Sequence, residues 1–317
     1  MKPIVFDGLV VGHWDRKIFE DMHAGGVTAA NCTCCIWEDI DATIKNIASW
    51  KRMLLENSDI LMQVYDVDDI WTAYETGKVG IILGWQNSSG FGDYIDSVAL
   101  FRELGIRVVQ LTYNTANSVG SGCYESRDLG LTDYGRHLIW EMNEQGILVD
   151  LSHVSDQTAR EAIDASKKPV AYTHICPHEL SPHSRNKSDE QLHYIAERDG
   201  FVGVAGIPPF LRAGYDATIV DYVDAILHVR NVVGEDQVGI GTDLTQGHGQ
   251  GFFDWIAMDK GNGRKLVDLG GIPLLPDFKN ASCYPNLVEE LERRDLSDGQ
   301  VEKITGRNWI NFLKNVW

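Results

Sequence analysis

The chain has 317 residues, 44% hydrophobic and 23% charged, with 46 acidic against 28 basic side chains and a formal net charge of −18. That acidic excess argues against nucleic acid and anionic membrane as partners, because both demand a concentrated basic surface. The composition suits one large globular core, and no apolar run approaches the ~20 residues that span a bilayer.

The opening Met1-Lys2-Pro3-Ile4-Val5-Phe6 reads as neither a signal nor a transit peptide, so a cytoplasmic location is expected. Short apolar runs then alternate with longer helical patterns, the signature of βα units around a parallel sheet. In chain order, strands are expected at 4–7 and 27–31, then a helical stretch over 39–76 with one extra short strand at 60–64. Strands follow at 79–83 and 107–111. Thr132 caps a helix through Gln145, a strand covers 147–151, and Ser155 caps a helix over 156–166. Strands at 170–173 and 202–205, a helix at 218–233, a strand at 238–241 and a helix at 298–316 complete the series. Eight barrel strands with helices between them predict an α/β fold, a (β/α)8 TIM-like barrel of the metal-dependent hydrolase type, in a single domain over 1–317. The Gly-rich, weakly periodic stretch 244–285 is expected to be a lid-like insertion.

Such barrels carry their chemistry at the C-terminal ends of the strands. Three of those ends carry polar groups: Asp150-Leu151-Ser152-His153, Thr173-His174 and Gly241-Thr242-Asp243. A lone strand-end histidine is usually a packing residue. Two of them with an aspartate match the ligand chemistry of a hydrolytic divalent-metal site. The six cysteines read as reduced thiols. Among them, the run Cys32-Thr33-Cys34-Cys35 lacks a partner pair for a zinc site, and Cys123 and Cys176 fall in strand-end loops as candidate ligands or nucleophiles.

The run Gly130-Leu131-Thr132-Asp133-Tyr134-Gly135-Arg136, then Met142-Asn143, Val149-Asp150-Leu151-Ser152-His153, His174, Arg185-Asn186 and Asp189 resembles the renal (membrane) dipeptidase family of zinc metallopeptidases. That family uses a binuclear zinc site: a His-x-Asp pair after the first strand, a bridging glutamate after the third, and histidines after the fifth and sixth. The resemblance implies that His153 and His174 are metal ligands, that Arg185 holds a substrate carboxylate, and that Asp243 handles a proton during attack on an amide.

The pattern breaks at the first metal. Asp7-Gly8-Leu9-Val10-Val11 has aliphatic side chains at both ligand positions, and Gly84-Trp85-Gln86 has an amide where the bridging carboxylate belongs. Tyr113 replaces a histidine that contacts the reacting oxygen, and becomes a candidate substrate contact. The expectation is at most one divalent ion, zinc by family habit, on His153 and His174 with Gln86 completing the shell. His13 and Asp15, a displaced His-x-Asp, and Glu125 are the rescue ligands. Trp85, Tyr113, Tyr172, Phe252, Phe253 and Trp255 are candidate pocket walls.

The function so implied is hydrolysis of an amide or related C–N bond in a small carboxylate-bearing substrate, ordinary dipeptides being doubtful. The alternative is a non-catalytic small-molecule binder of the same fold. No nucleic-acid or membrane partner is expected, and a homodimer is the default assembly.

Overall fold

The computed structural model describes residues 3–267 and 274–317. Its strands are β1 (Val5–Val10), β2 (Val27–Cys35), β3 (Leu61–Gln63), β4 (Val79–Trp85), β5 (Ile106–Gln110), β6 (Leu148–Asp150), β7 (Ala171–Ile175), β8 (Phe201–Val204) and β9 (Val238–Ile240). Eight of them run in parallel, in the order β1-β2-β4-β5-β6-β7-β8-β9, while β3 pairs only with the start of β4. This is the expected barrel, with the extra strand where the sequence placed it. Every residue of these strands except two in β3 is buried, which is why they read as continuous apolar runs rather than alternating ones. Among the described residues, no helix is long and apolar enough to cross a membrane.

The helix boundaries follow their caps. Thr132 accepts from Gly135 N at the head of helix Asp133–Gln145, and Ser155 accepts from Thr158 N at the head of helix Asp156–Ala165. The 39–76 stretch is two helices, Ile40–Glu56 and Val67–Thr76, on either side of β3. One expected strand ends too early in the sequence reading. β2 continues through Cys35 because Cys32, Thr33 and Cys35 are buried and pair with Leu83, Gly84 and Trp85 of β4. Cys32, Cys34 and Cys35 are therefore sheet residues, and burial pushes each thiol well above its ordinary range.

The floor of the barrel is filled from outside the sheet. The C-terminal helix Asn308–Leu313 inserts Trp309, 1% exposed, whose ring stacks on Phe6 and packs against Phe201. Gly8 and Gly239 make this possible: a Cβ at either would lie 2.5 or 2.8 Å from the indole. The same segment stitches β1 to β9. Thr305 Oγ1 donates to Ile4 O (2.9 Å), Asn308 Nδ2 to Val238 O (2.9 Å) and Trp309 Nε1 to Ile240 O (2.8 Å). At the mouth the seam closes through main-chain bonds, Asp243 N to Leu9 O, Val11 N to Leu244 O and His13 N to Gln246 O.

Candidate active site

Two buried carboxylates set the geometry of the mouth. Asp150, at the end of β6, accepts from Ser152 N (3.0 Å), Ser152 Oγ (2.5 Å), Thr173 N (3.0 Å) and Thr173 Oγ1 (2.7 Å). Asp7 in β1 does the same across the seam, accepting from Leu9 N, Thr242 N, Thr242 Oγ1 and the Tyr284 hydroxyl. Each carboxylate pins a threonine of the neighbouring unit, Thr173 on β7 or Thr242 just past β9. The residue after each pinned threonine, His174 or Asp243, is thereby fixed at the rim. Burial raises both carboxyl groups above their ordinary value, against the opposing pull of these hydrogen bonds.

Hydrogen bonding dictates the state of both histidines. The Thr173 hydroxyl gives its proton to Asp150, so at 2.7 Å from His174 Nδ1 it accepts. His153 Nδ1 lies 2.7 Å from Asn114 Oδ1, also an acceptor. Both rings therefore carry their proton on Nδ1, and their Nε2 lone pairs converge at 3.0 Å. Burial, then the Arg185 charge, holds both imidazoles well below the usual histidine range. Two neutral imidazoles presenting lone pairs to one point are unfavourable alone and suit a cation between them. Tyr113 stacks on His153, with ring centroids 4.3 Å apart.

Arg185 is 3% exposed and lies behind this pair, donating through Nη1 to Ser152 O (2.5 Å) and through Nη2 to His174 O (2.8 Å). Its Nε is buried without a partner, and among the described residues no carboxylate pairs with it. Asp243 sits at φ +55°, a left-handed backbone that aspartate tolerates. Burial, opposed by Arg185 and reinforced by Asp7 and Asp150, pushes its carboxyl up to about 7. Arg185, Asp243, His153, Tyr113 and Gln86 all line one cleft, together with Asn114, Tyr124 and Phe210. The amide nitrogen of Gln86 donates to Thr33 Oγ1 (3.1 Å), which leaves its oxygen as the free end.

The sequence candidates divide as follows. His153, His174, Arg185, Asp243, Tyr113 and Gln86 come together. His13 and Asp15 do not join them: Asp15 caps helix Arg16–Ala24 by accepting from Ile18 N, and the His13 ring packs edge-on to His248. Glu125 is spent on Ala116 N (2.8 Å). Burial pushes the Cys123 thiol up and the Cys176 thiol up to about 12, so neither is a ready thiolate. Trp85 packs against Phe91 and Phe101, and Tyr172 lies under Lys187, both away from the cleft. Phe252 is in the wall, while Phe253 lies in the apolar cluster behind it. Of the 244–285 stretch, helix Gln250–Ile256 contributes Phe252 and Ile256 to the cleft, and residues 268–273 lie outside the described residues. Asn114 and Thr173 were missed by sequence reading, although Asn114 at φ +59° just past β5 is the kind of residue that turns a side chain inward.

The described residues hold one group of three His, Cys, Asp or Glu ligand atoms within 4.8 Å of one another: Glu179, Asp189 and His228, none of them in the cleft. At the mouth, the donors suited to an ion are thus the two imidazoles. Neutral imidazole nitrogens are ligands of the kind a divalent cation takes.

A model of the membrane dipeptidase family (peptidase family M19) matches residues 13–259. Dipeptidase tcpJ of Claviceps purpurea is 30% identical over 278 residues, covering 86% of this chain and 60% of that protein. An uncharacterized dipeptidase of Schizosaccharomyces pombe is 32% identical over 284 residues, covering 86% and 62%. The chain thus spans about 60% of the length of these curated relatives. A crystal structure of an amidohydrolase from Pseudomonas aeruginosa superposes with a TM-score of 0.98 at 48% identity, over 99% of this chain and 97% of that one. A metallopeptidase from Rhodobacter sphaeroides, solved with a phosphinate mimic of L-Ala-D-Ala, shares the fold at 19% identity, with a TM-score of 0.84 and full coverage of both chains.

Proposed function

Since the chain belongs to the membrane dipeptidase family, peptidase family M19, we propose that it is a hydrolase cleaving an amide or related C–N bond in a small carboxylate-bearing substrate, with one divalent ion at most. The observation that carries this reading is Arg185. A buried guanidinium with an orphaned Nε and no acidic partner among the described residues, lining the same cleft as Asp243 and His153, is suited to receive a substrate carboxylate.

His153 and His174 would hold the ion, with Gln86 a neutral oxygen donor in the wall of the same cleft. Bound there, a divalent ion supplies Lewis-acid polarisation of the carbonyl and a lowered water pKa. Arg185 fixes the substrate through its carboxylate, and Tyr113 holds the His153 ring in plane by stacking. Asp243, whose proton affinity lies near neutrality, takes a proton from the attacking water and returns it to the departing nitrogen. One water is consumed: a C–O bond forms, the C–N bond breaks, and an acid and an amine leave.

The Asp150–Thr173–His174 chain positions the second imidazole. Thr173→Val removes the acceptor for His174 Nδ1 with little change of shape. It is expected to weaken divalent-ion affinity by about 10- to 100-fold, with Thr173→Ser restoring most of it. Competition against a chromophoric chelator reads this directly.

The function itself is tested by incubating the protein with zinc and a panel of N-substituted amino acids, each beside its carboxamide. Amine release from the acids and at least about tenfold less from the carboxamides is expected, since a charge-assisted hydrogen bond to Arg185 is worth about 1.5–3 kcal/mol. Leu9 and Val11 at the first-metal positions are what favours the second reading, a non-catalytic binder. Saturable binding of the acids without amine release would establish it.

A further inference from the structure

Where the family's first ligand pair would stand, this chain builds an apolar surface from several separate elements. Leu9 and Val11, 1% and 5% exposed, join Ile36, Tyr113, Phe253 and Ile256 in a cluster of their own at the mouth. Ile36, just past β2, and Phe253 and Ile256 of helix Gln250–Ile256 join them from two other elements. Val11, Ile36, Phe252 and Ile256 face the cleft that holds Arg185 and Asp243. Val11, Ile36 and Phe252 also line a second cleft, whose walls include Trp14, Trp50 and Trp255. Val11, Ile36 and Phe252 thus border both spaces.

The charges along this path are few. Among the described residues, the first cleft is lined by one cation, Arg185, and one acid, Asp243. Glu38 in the second cleft is tied down, accepting from Ile36 N (2.6 Å) and Asn46 Nδ2 (3.2 Å). His248, stacked on Phe252, is pushed down to about 4 by burial and by His13, and so is neutral at pH 7. A dipeptide brings a carboxylate and an ammonium. Arg185 accounts for the first, but the ammonium would need an acid, and the sole acid lining the first cleft is the one the reaction uses. An acyl group carries no such charge and gains from apolar contact.

We infer that the substrate is an N-acylated amino acid whose uncharged, apolar acyl arm lies along Val11, Ile36 and Phe252 into the second cleft. This rests on the hydrolase reading above and names its substrate class.

The test compares N-acetyl-, N-butyryl-, N-hexanoyl- and N-octanoyl-alanine with alanyl-alanine on the wild-type protein as purified. Amine release gives kcat/KM, and calorimetric titration of the Asp243→Asn variant gives Kd for the intact compounds. Both constants are expected to improve about fourfold per added methylene, equivalent to about 0.8 kcal/mol, until the cleft is filled. Alanyl-alanine should fall at least about tenfold below N-butyryl-alanine. Phe252→Ala, at a half-buried wall position, should flatten the gradient without depending on the fold of the barrel floor. Turnover with no chain-length gradient, or a preference for alanyl-alanine, overturns the inference and leaves the hydrolase reading standing. A gradient in Kd without any amine release overturns the hydrolase reading and leaves the apolar arm standing. No binding by any member of the series overturns both.

Discussion

Alanine at both His153 and His174 is expected to strip the protein of its divalent ion and to lower kcat/KM for amide hydrolysis by at least about 10³-fold. The two Nε2 atoms are 3.0 Å apart with both ring protons committed elsewhere, so on the proposed function the pair would chelate as one unit. Losing it removes the several kcal/mol of transition-state stabilisation that a Lewis acid supplies. Elemental analysis of protein purified without chelator or metal resin checks this: about one ion per chain in the parent and essentially none in the variant. Two ions in the parent would mean that donors outside the cleft rearrange to meet a second metal. That would contradict the placement of Asp15 as a helix cap and of Glu125 on Ala116 N. The double variant should stay folded, because relieving two converging lone pairs in a buried site removes an unfavourable contact.

Asp243→Asn is expected to lower kcat by about 10²- to 10⁴-fold, the usual worth of a positioned acid–base group, with little change in KM. The acid limb of the parent's kcat/KM profile should lie no higher than about pH 7, because a bound cation lowers the value that burial imposes. That limb should vanish in the variant. Stability should move the other way. The folded carboxyl titrates above its unfolded value of about 3.9, so the folded state holds the extra proton between about pH 4 and 7. Its contribution is complete below that window and is lost as pH rises through 7. In chelator-treated protein, Asp243→Asn should therefore gain on the order of 1 kcal/mol, about 2–4 °C in Tm, over the parent at pH 8, and nothing at pH 4. A variant equally destabilised at both pH values would mark Asp243 as a structural residue.

Much of this site was readable without coordinates because a barrel puts its chemistry at strand ends, and His153, His174 and Asp243 each follow an apolar run there. Partnerships between strands were not readable. That Thr173 takes its orders from Asp150 depends on the register of β6 against β7, which no local pattern encodes. Nor does helical periodicity at 298–316 say which residue enters the barrel; Trp309 does so because Gly8 and Gly239, on two other elements, leave room. The extent of β2 was misjudged for a related reason. Cysteine and threonine give a weak strand signal alone, and their burial against β4 decides the matter. Trp85, a candidate for either wall or core, packs in the core because strand alternation sends it to the helix layer while its neighbour Gln86 faces the cleft.

The seam between β1 and β9 makes the mouth mechanically uneven. His153 and His174 follow neighbouring strands of the continuous sheet, whereas Asp243 is itself one of the stitches, its amide bonded to Leu9 O. Any breathing of the barrel that begins at the seam would carry Asp243 away while the paired imidazoles stayed in register. On the proposed mechanism, barrel closure would then set catalytic competence, and the C-terminal segment, bonded through Thr305 to Ile4 O on one edge and through Asn308 and Trp309 to Val238 O and Ile240 O on the other, would tune it from the far end of the barrel.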